Sequence, residues 1–173
     1  MTIRTILTEP NSILRQVSKP LENIGKEEQS LMDDMLETMY HANGIGLAAI
    51  QIGVPKRIIV MDIAKKDQNK KNPMYFVNPV IKNKNKDLST YEEGCLSVPN
   101  QFAEIDRPSK CQVEYLDYYG NKMNLKADGL LATCIQHEMD HLEGILFIDY
   151  LSKLKRSMII KKLSKLKSNT AVL

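Results

Sequence analysis

A chain of 173 residues, 43% hydrophobic and 26% charged, is the usual size of one domain and can bury a core without staples, so disordered and fibrous classes are excluded. No apolar stretch reaches the roughly 18 residues of a membrane span, so no membrane class is indicated. The formal charge of +3 is small and its excess is local: Leu151 to Lys167 carries seven Lys and Arg and no acid, so an anionic partner belongs at the C-terminus.

The N-terminus, Met1 to Pro10, lacks the apolar run and small-residue cleavage site of a secretory signal, and a cytoplasmic location is expected. From Lys26 to Ala42, apolar Leu31, Met32, Met35, Leu36 and Met39 fall on one helical face, with Glu27 and Glu28 suited to the N-terminal dipole. That helix should end near Asn43-Gly44, its methionines serving the core. Runs rich in β-formers follow at Arg57 to Met61, Tyr75 to Val80 and Cys111 to Tyr118, with polar stretches at Lys65 to Asn72 and Lys82 to Asp87. Tyr119-Gly120-Asn121 reads as a turn into a further strand at Met123 to Lys126. A second helix is expected from about Gly129 to Leu142, and a third from about Ser152 to Lys167. On the third, Ile159, Ile160, Leu163 and Leu166 form a stripe opposite Lys161, Lys162 and Lys165. With no βαβ rhythm, the fold class is α+β: mixed or antiparallel sheets around a central helix, with a C-terminal helix. One domain is expected over 1–173, its catalytic core to about 150 and a basic amphipathic helix over about 151–168.

The strongest chemical signal is His137-Glu138-Met139-Asp140-His141. Two histidines four apart on a helix share one face and can bind one metal ion, and Glu138 projects beside them as a proton acceptor for water. A catalytic site of this kind needs a third protein ligand and one open position. Downstream the usual sources are missing: Phe147 stands ten residues after His137, and the later acids Glu143 and Asp149 are too near to belong to a separate helix. The third ligand should therefore come from upstream.

Three cysteines without secretory context argue against a disulfide framework, so each is judged alone. Cys134 shares the helical face but lies seven residues from His141, roughly 10 Å along the axis, and reads as a packed thiol near the site. Cys111 alternates with Val113 and Tyr115 and suits a core strand. His41 closes the first helix and could serve, though a lone histidine is more often structural. Cys95 lies in Glu92-Glu93-Gly94-Cys95-Leu96-Ser97-Val98-Pro99, read as a short irregular stretch, and spacing favours it without closing the choice. An amide hydrolase of metallopeptidase type is the alternative enzyme, and a structural metal site is disfavoured because only three good ligands are present.

Three segments together resemble the peptide deformylases: Gly44-Ile-Gly-Leu-Ala-Ala-Ile-Gln51, Glu93-Gly-Cys-Leu-Ser97 and Gln136-His-Glu-Met-Asp-His-Leu-Glu-Gly144. The resemblance covers nearly the whole chain and looks like the short bacterial subclass. It implies that Cys95, His137 and His141 bind the metal, ferrous iron in cells with zinc, nickel or cobalt able to substitute, and that Glu138 is the general base and acid. It implies the substrate too: the formyl-methionine terminus of a nascent polypeptide, hydrolysed to formate and a free amine. By similarity the Gln51 side-chain amide and the Leu96 backbone N–H stabilise the developing oxyanion. The peptide would lie extended between the Gly44, Ile45 and Gly46 segment and the strand before Cys95, close to Gly94. The two glycines would let another backbone approach, and Ile45, Leu130, Cys134 and the stem of Glu93 would wall the methionine pocket. Seven residues after Cys95, where many bacterial relatives carry a peptide-holding arginine, this chain has Phe102, and Arg107 is a candidate substitute. The resemblance further suggests that the basic C-terminal helix docks on the ribosome near the tunnel exit, its lysines meeting RNA phosphates. Neither membrane nor DNA is an expected partner.

Overall fold

A computed structural model describes residues 2–64 and 71–170, with side chains to 165. Most of the polar stretch Lys65 to Asn72, and the side chain of Leu166 in the apolar stripe, lie outside the described residues. The elements are α1 (Lys26–His41), β1 (Gly46–Ala48), β2 (Ile58–Met61), β3 (Met74–Lys84), β4 (Leu88–Cys95), β5 (Val98–Pro108), β6 (Lys110–Leu116), β7 (Lys122–Asp128), α2 (Gly129–Leu142) and α3 (Lys153–Thr170).

Five strands form a sheet in the order β1-β2-β3-β6-β7, and β4 with β5 forms a separate hairpin; every pairing between these strands is antiparallel. Alternation along the central strands sorts two cores. Ile59 and Met61 of β2 face one way with Phe76, Val113 and Ala127 and meet Ala132, Ile135 and Leu142 of α2. Ile58 and Val60 face the other way with Leu47 and Val77 and meet Met32, Met35 and Met39 of α1. With apolar side chains on both faces, β2 reads as a continuous apolar run. A third cluster, from Val98 and Ile105 of β5, Leu146 to Ile148 and Leu163, fixes α3 to the hairpin. The sheet and the hairpin thus both pack on α2.

Local signals explain the ends of α1. Glu28 accepts the Gly25 backbone N–H at 3.0 Å, closing the first turn. At the other end Asn43 takes φ 56° and the Gly44 N–H reaches the Met39 carbonyl at 2.9 Å. The left-handed stop is thus made by the asparagine rather than the glycine.

The main departure from the sequence reading is the hairpin. Residues 92–99 are the end of β4, a turn at Leu96-Ser97 and the start of β5, instead of an irregular stretch. No described helix is long and apolar enough to cross a membrane.

Candidate active site

Two elements bring the candidate residues together. His137, Glu138 and His141 project from α2, all buried. Cys95 arrives from the end of β4, where the pairing slips between Gly94 and Cys95. Such an irregularity re-aims the side chain that follows it. The ligand atoms of Cys95, His137 and His141 all lie within 4.8 Å of one another, and Cys95 Sγ is 3.3 Å from His141 Nε2. Donors that share one ion at about 2.0–2.3 Å sit about 3–4 Å apart, so the three fit a single divalent cation. The other candidates are elsewhere: His41 is exposed at the end of α1, Cys111 is buried in β6, and Cys134 is not in the group.

A layer of charge orients His137. His137 Nδ1 faces Glu93 Oε2 at 2.8 Å; the carboxylate can only accept, so Nδ1 carries the hydrogen and Nε2 is left for the cluster. Glu93 is in turn gripped by Arg107, Nε to Oε1 at 2.6 Å and Nη2 to Oε2 at 3.0 Å, while Arg107 Nη1 reaches Asp140 at 2.8 Å. Tyr150 donates to the same Asp140 oxygen at 2.8 Å. Arg107 is therefore buried and turned away from the cleft, which removes it as a substitute peptide holder. It acts as a clamp because a buried guanidinium needs both carboxylates.

Burial works against the Glu93 carboxylate, but His137 and Arg107 bring its pKa below the ordinary value. For His137, burial is outweighed by Cys95 and Glu93, and its pKa lies well above the ordinary value. His141 goes the other way: burial and the charges of His137, Arg107 and Arg15 keep it neutral, the ligating form. Burial pushes Glu138 up to about 7, with His137 opposing and Glu93 assisting, and Glu138 Oε2 is buried with no hydrogen-bond partner among the described residues. Among the described residues that oxygen is an unclaimed acceptor, on the residue next to His137 in α2.

Gln51 is fixed from both ends of its carboxamide. Its Oε1 accepts the Ala48 N–H at 2.8 Å, and its Nε2 donates to Ser97 Oγ at 3.1 Å and points to Cys95 Sγ at 3.5 Å. A donor is thereby held against the cluster at no further ordering cost. Ser97 also donates its N–H to Cys95 Sγ at 3.4 Å. Ser97, Asp140, Tyr150 and the clamp formed by Arg107 escaped the sequence reading; only the positions of Ser97 and Asp140 inside the quoted motifs pointed to them.

A cavity of about 520 Å³ opens over this group, and Gln51, Cys95, Leu96, His137 and Glu138 reach it. Its walls include Gly44, Ile45, Gly46, Glu93, Gly94, Leu130 and Cys134, all anticipated from sequence, together with Phe102. Ile45 and Leu130 remain two-fifths exposed although large and apolar. Burial lifts the Cys134 thiol to about 12, so it stays protonated. Within the protein itself two of the glycines have a steric role: a Cβ at Gly46 would overlap the Glu138 carboxylate, and one at Gly44 would come within 2.8 Å of Leu96 Cδ1. Glycine here makes room for Glu138 and Leu96.

Known proteins share this sequence and fold. Residues 3–157 match the polypeptide deformylase family model. A peptide deformylase of Pelagibacter ubique is 76% identical over 172 residues, covering 99% of both chains, and one of Maricaulis maris is 56% identical over 169 residues, covering 98% of this chain and 97% of the relative. Among solved structures, the peptide deformylase of Ehrlichia chaffeensis in complex with actinonin superposes with TM-score 0.91 at 43% identity, covering 95% of this chain and 98% of that one. The Legionella pneumophila enzyme gives 0.90 at 45%, covering 98% of each. Matched along its length in sequence and in fold, the chain belongs to the peptide deformylase family, hydrolases that act on formyl-methionyl peptides.

Proposed function

We propose that the chain removes the formyl group from the N-terminal formyl-methionine of newly made polypeptides, with Cys95, His137 and His141 holding one metal ion and Glu138 moving the proton. The observation that carries this reading is the cluster of three ligand atoms beside a cavity that Cys95, His137 and Glu138 line, with Glu138 Oε2 buried and without a hydrogen-bond partner among the described residues. A divalent ion in that group supplies a Lewis acid that acidifies water and polarises a carbonyl. Glu138 takes the proton of the attacking water and returns it to the leaving amine, so that formamide and water become formate and a free amine. As the carbonyl oxygen gains charge, Gln51 Nε2 and the Leu96 N–H donate to it. The methionine side chain rests against Ile45, Leu130, Cys134 and the stem of Glu93. The peptide lies extended between the Gly44 to Gly46 segment and Gly94.

The thiolate and two imidazoles suit ferrous iron, with zinc, nickel or cobalt able to replace it. The chain works as one catalytic unit over 1–173, with residues to about 150 as core. The basic helix at 151–168 docks on ribosomal RNA near the tunnel exit, where cytoplasmic nascent chains emerge. Salt-sensitive ribosome binding that is lost on truncation after Leu151 is the expected result; undiminished binding by the truncated protein would remove the contact. The primary test is formate release from formyl-Met-Ala-Ser beside Glu138→Ala: release by the parent alone is expected, and no release by folded, metal-loaded parent refutes the reading.

A further inference from the structure

A second cavity, about 550 Å³, lies between β5 and α3 and shares Gln101 and Phe102 with the catalytic cavity. The two thus adjoin at these two residues. Phe102 pairs with Gly94 across the hairpin, where a Cβ at Gly94 would meet its ring at 2.6 Å, yet Phe102 is 65% exposed. A large aromatic ring is held over the junction by a glycine.

Beyond it the floor is apolar, from Ala103, Leu151, Met158 and Ile159. On α3 the groove takes Lys155, Met158, Ile159 and Lys162, spaced three, four and seven apart and so on one helical face. Ile159 packs inward on the hairpin cluster, while Met158 stays largely exposed. Neither lysine side chain has an acidic partner among the described residues, and Glu104 on β5 is the one acid in the lining. The groove therefore offers an apolar floor and a net positive rim, in direct continuation of the cleft.

We propose that this groove is an outer substrate subsite for the fourth and later residues of the nascent chain, favouring acidic side chains there. The inference rests on the deformylase reading above. An extended chain advances about 3.3 Å per residue, so a tripeptide stays in the catalytic cleft while a longer chain leaving past Phe102 enters the groove. Lys155 and Lys162 lie outside the cleft and leave tripeptide turnover alone.

The test compares kcat/KM for formyl-Met-Ala-Ser with octapeptides that begin identically and carry aspartate or lysine at positions five to seven. Two exposed ion pairs are worth about threefold to tenfold together, so the aspartate octapeptide should exceed the tripeptide by about that factor. The lysine octapeptide should not exceed it, and Lys155→Glu with Lys162→Glu should reverse the preference without changing the tripeptide rate. The deformylated aspartate octapeptide should shift the Met158 methyl resonance but not that of Met123. Equal rates for both octapeptides, a preference that survives the double variant, or an unmoved Met158 signal overturns the proposal. Failure to hydrolyse even the tripeptide refutes the deformylase reading itself, a result separate from loss of the octapeptide preference.

Discussion

Replacing Arg107 with leucine should destabilise the fold before it touches the chemistry. The guanidinium is 4% exposed and joins two carboxylates, Glu93 with its side chain 5% exposed and Asp140 at 18%. Removing one member of a buried ion pair costs about 3–5 kcal/mol, because the charge left behind stays uncompensated. Asp140 keeps Tyr150 and is partly exposed, so the loss falls mainly on Glu93, which among the described residues retains only His137. This places the variant near the lower bound, about 3 kcal/mol, or a melting temperature lower by about 6–12 °C for a chain of this size. Urea unfolding followed by far-ultraviolet circular dichroism measures it, since the chain has no tryptophan. A double variant, Arg107→Leu with Glu93→Gln, should recover part of the loss by removing the orphaned charge, while loosening His137. A loss below about 1 kcal/mol, the value of a solvated surface pair, would refute the argument that Arg107 is a buried clamp.

Gly46→Ala should leave the circular dichroism spectrum intact and cut formate release about 10²-fold, the usual cost of displacing a reacting group by about 1 Å, because its Cβ would overlap the Glu138 side chain. If Gln51 serves the proposed reaction as an oxyanion donor, Gln51→Leu should lower kcat about 10²- to 10³-fold, as for other such donors, with a smaller change in KM. As a base, Glu138 must be ionised, so activity should rise with pH through its pKa. Burial lifts that value from 4.5 to about 7 and a nearby cation opposes the lift, so the acid limb of kcat/KM should fall between those two values; a limb above them contradicts the assignment.

The sequence revealed the parts of the molecule whose pattern follows burial. The boundaries of α2 are legible from Gly129 and the histidine spacing, and those of α1 from its methionine stripe and Asn43-Gly44. The strands β2, β3, β6 and β7 follow from runs of β-formers, although β3 extends four residues past its expected end at Val80 to Lys84. The hairpin was illegible in part because two of the four buried side chains in its strands, Glu93 and Arg107, are charged, beside apolar Val98 and Ile105. Glu93 and Arg107 look like solvent-facing residues in a linear reading, and they are buried only because each supplies the other's counter-charge. The same cause hid the layer behind the candidate metal ligands. Cys95 could not be fixed as the partner of His137 and His141 by spacing alone, because the slip in β4 that aims it depends on a strand pairing the linear pattern does not show.

The most direct test of the account is metal content measured together with turnover. Protein stripped by a chelator should lose formate release and regain it with one equivalent of ferrous iron or nickel per chain. Cys95→Ala and His141→Ala should each bind less than a tenth of an equivalent under the same conditions while keeping the native circular dichroism spectrum. Full metal occupancy in either variant, or full activity in the stripped protein, would contradict the central claim that Cys95, His137 and His141 build one catalytic metal centre.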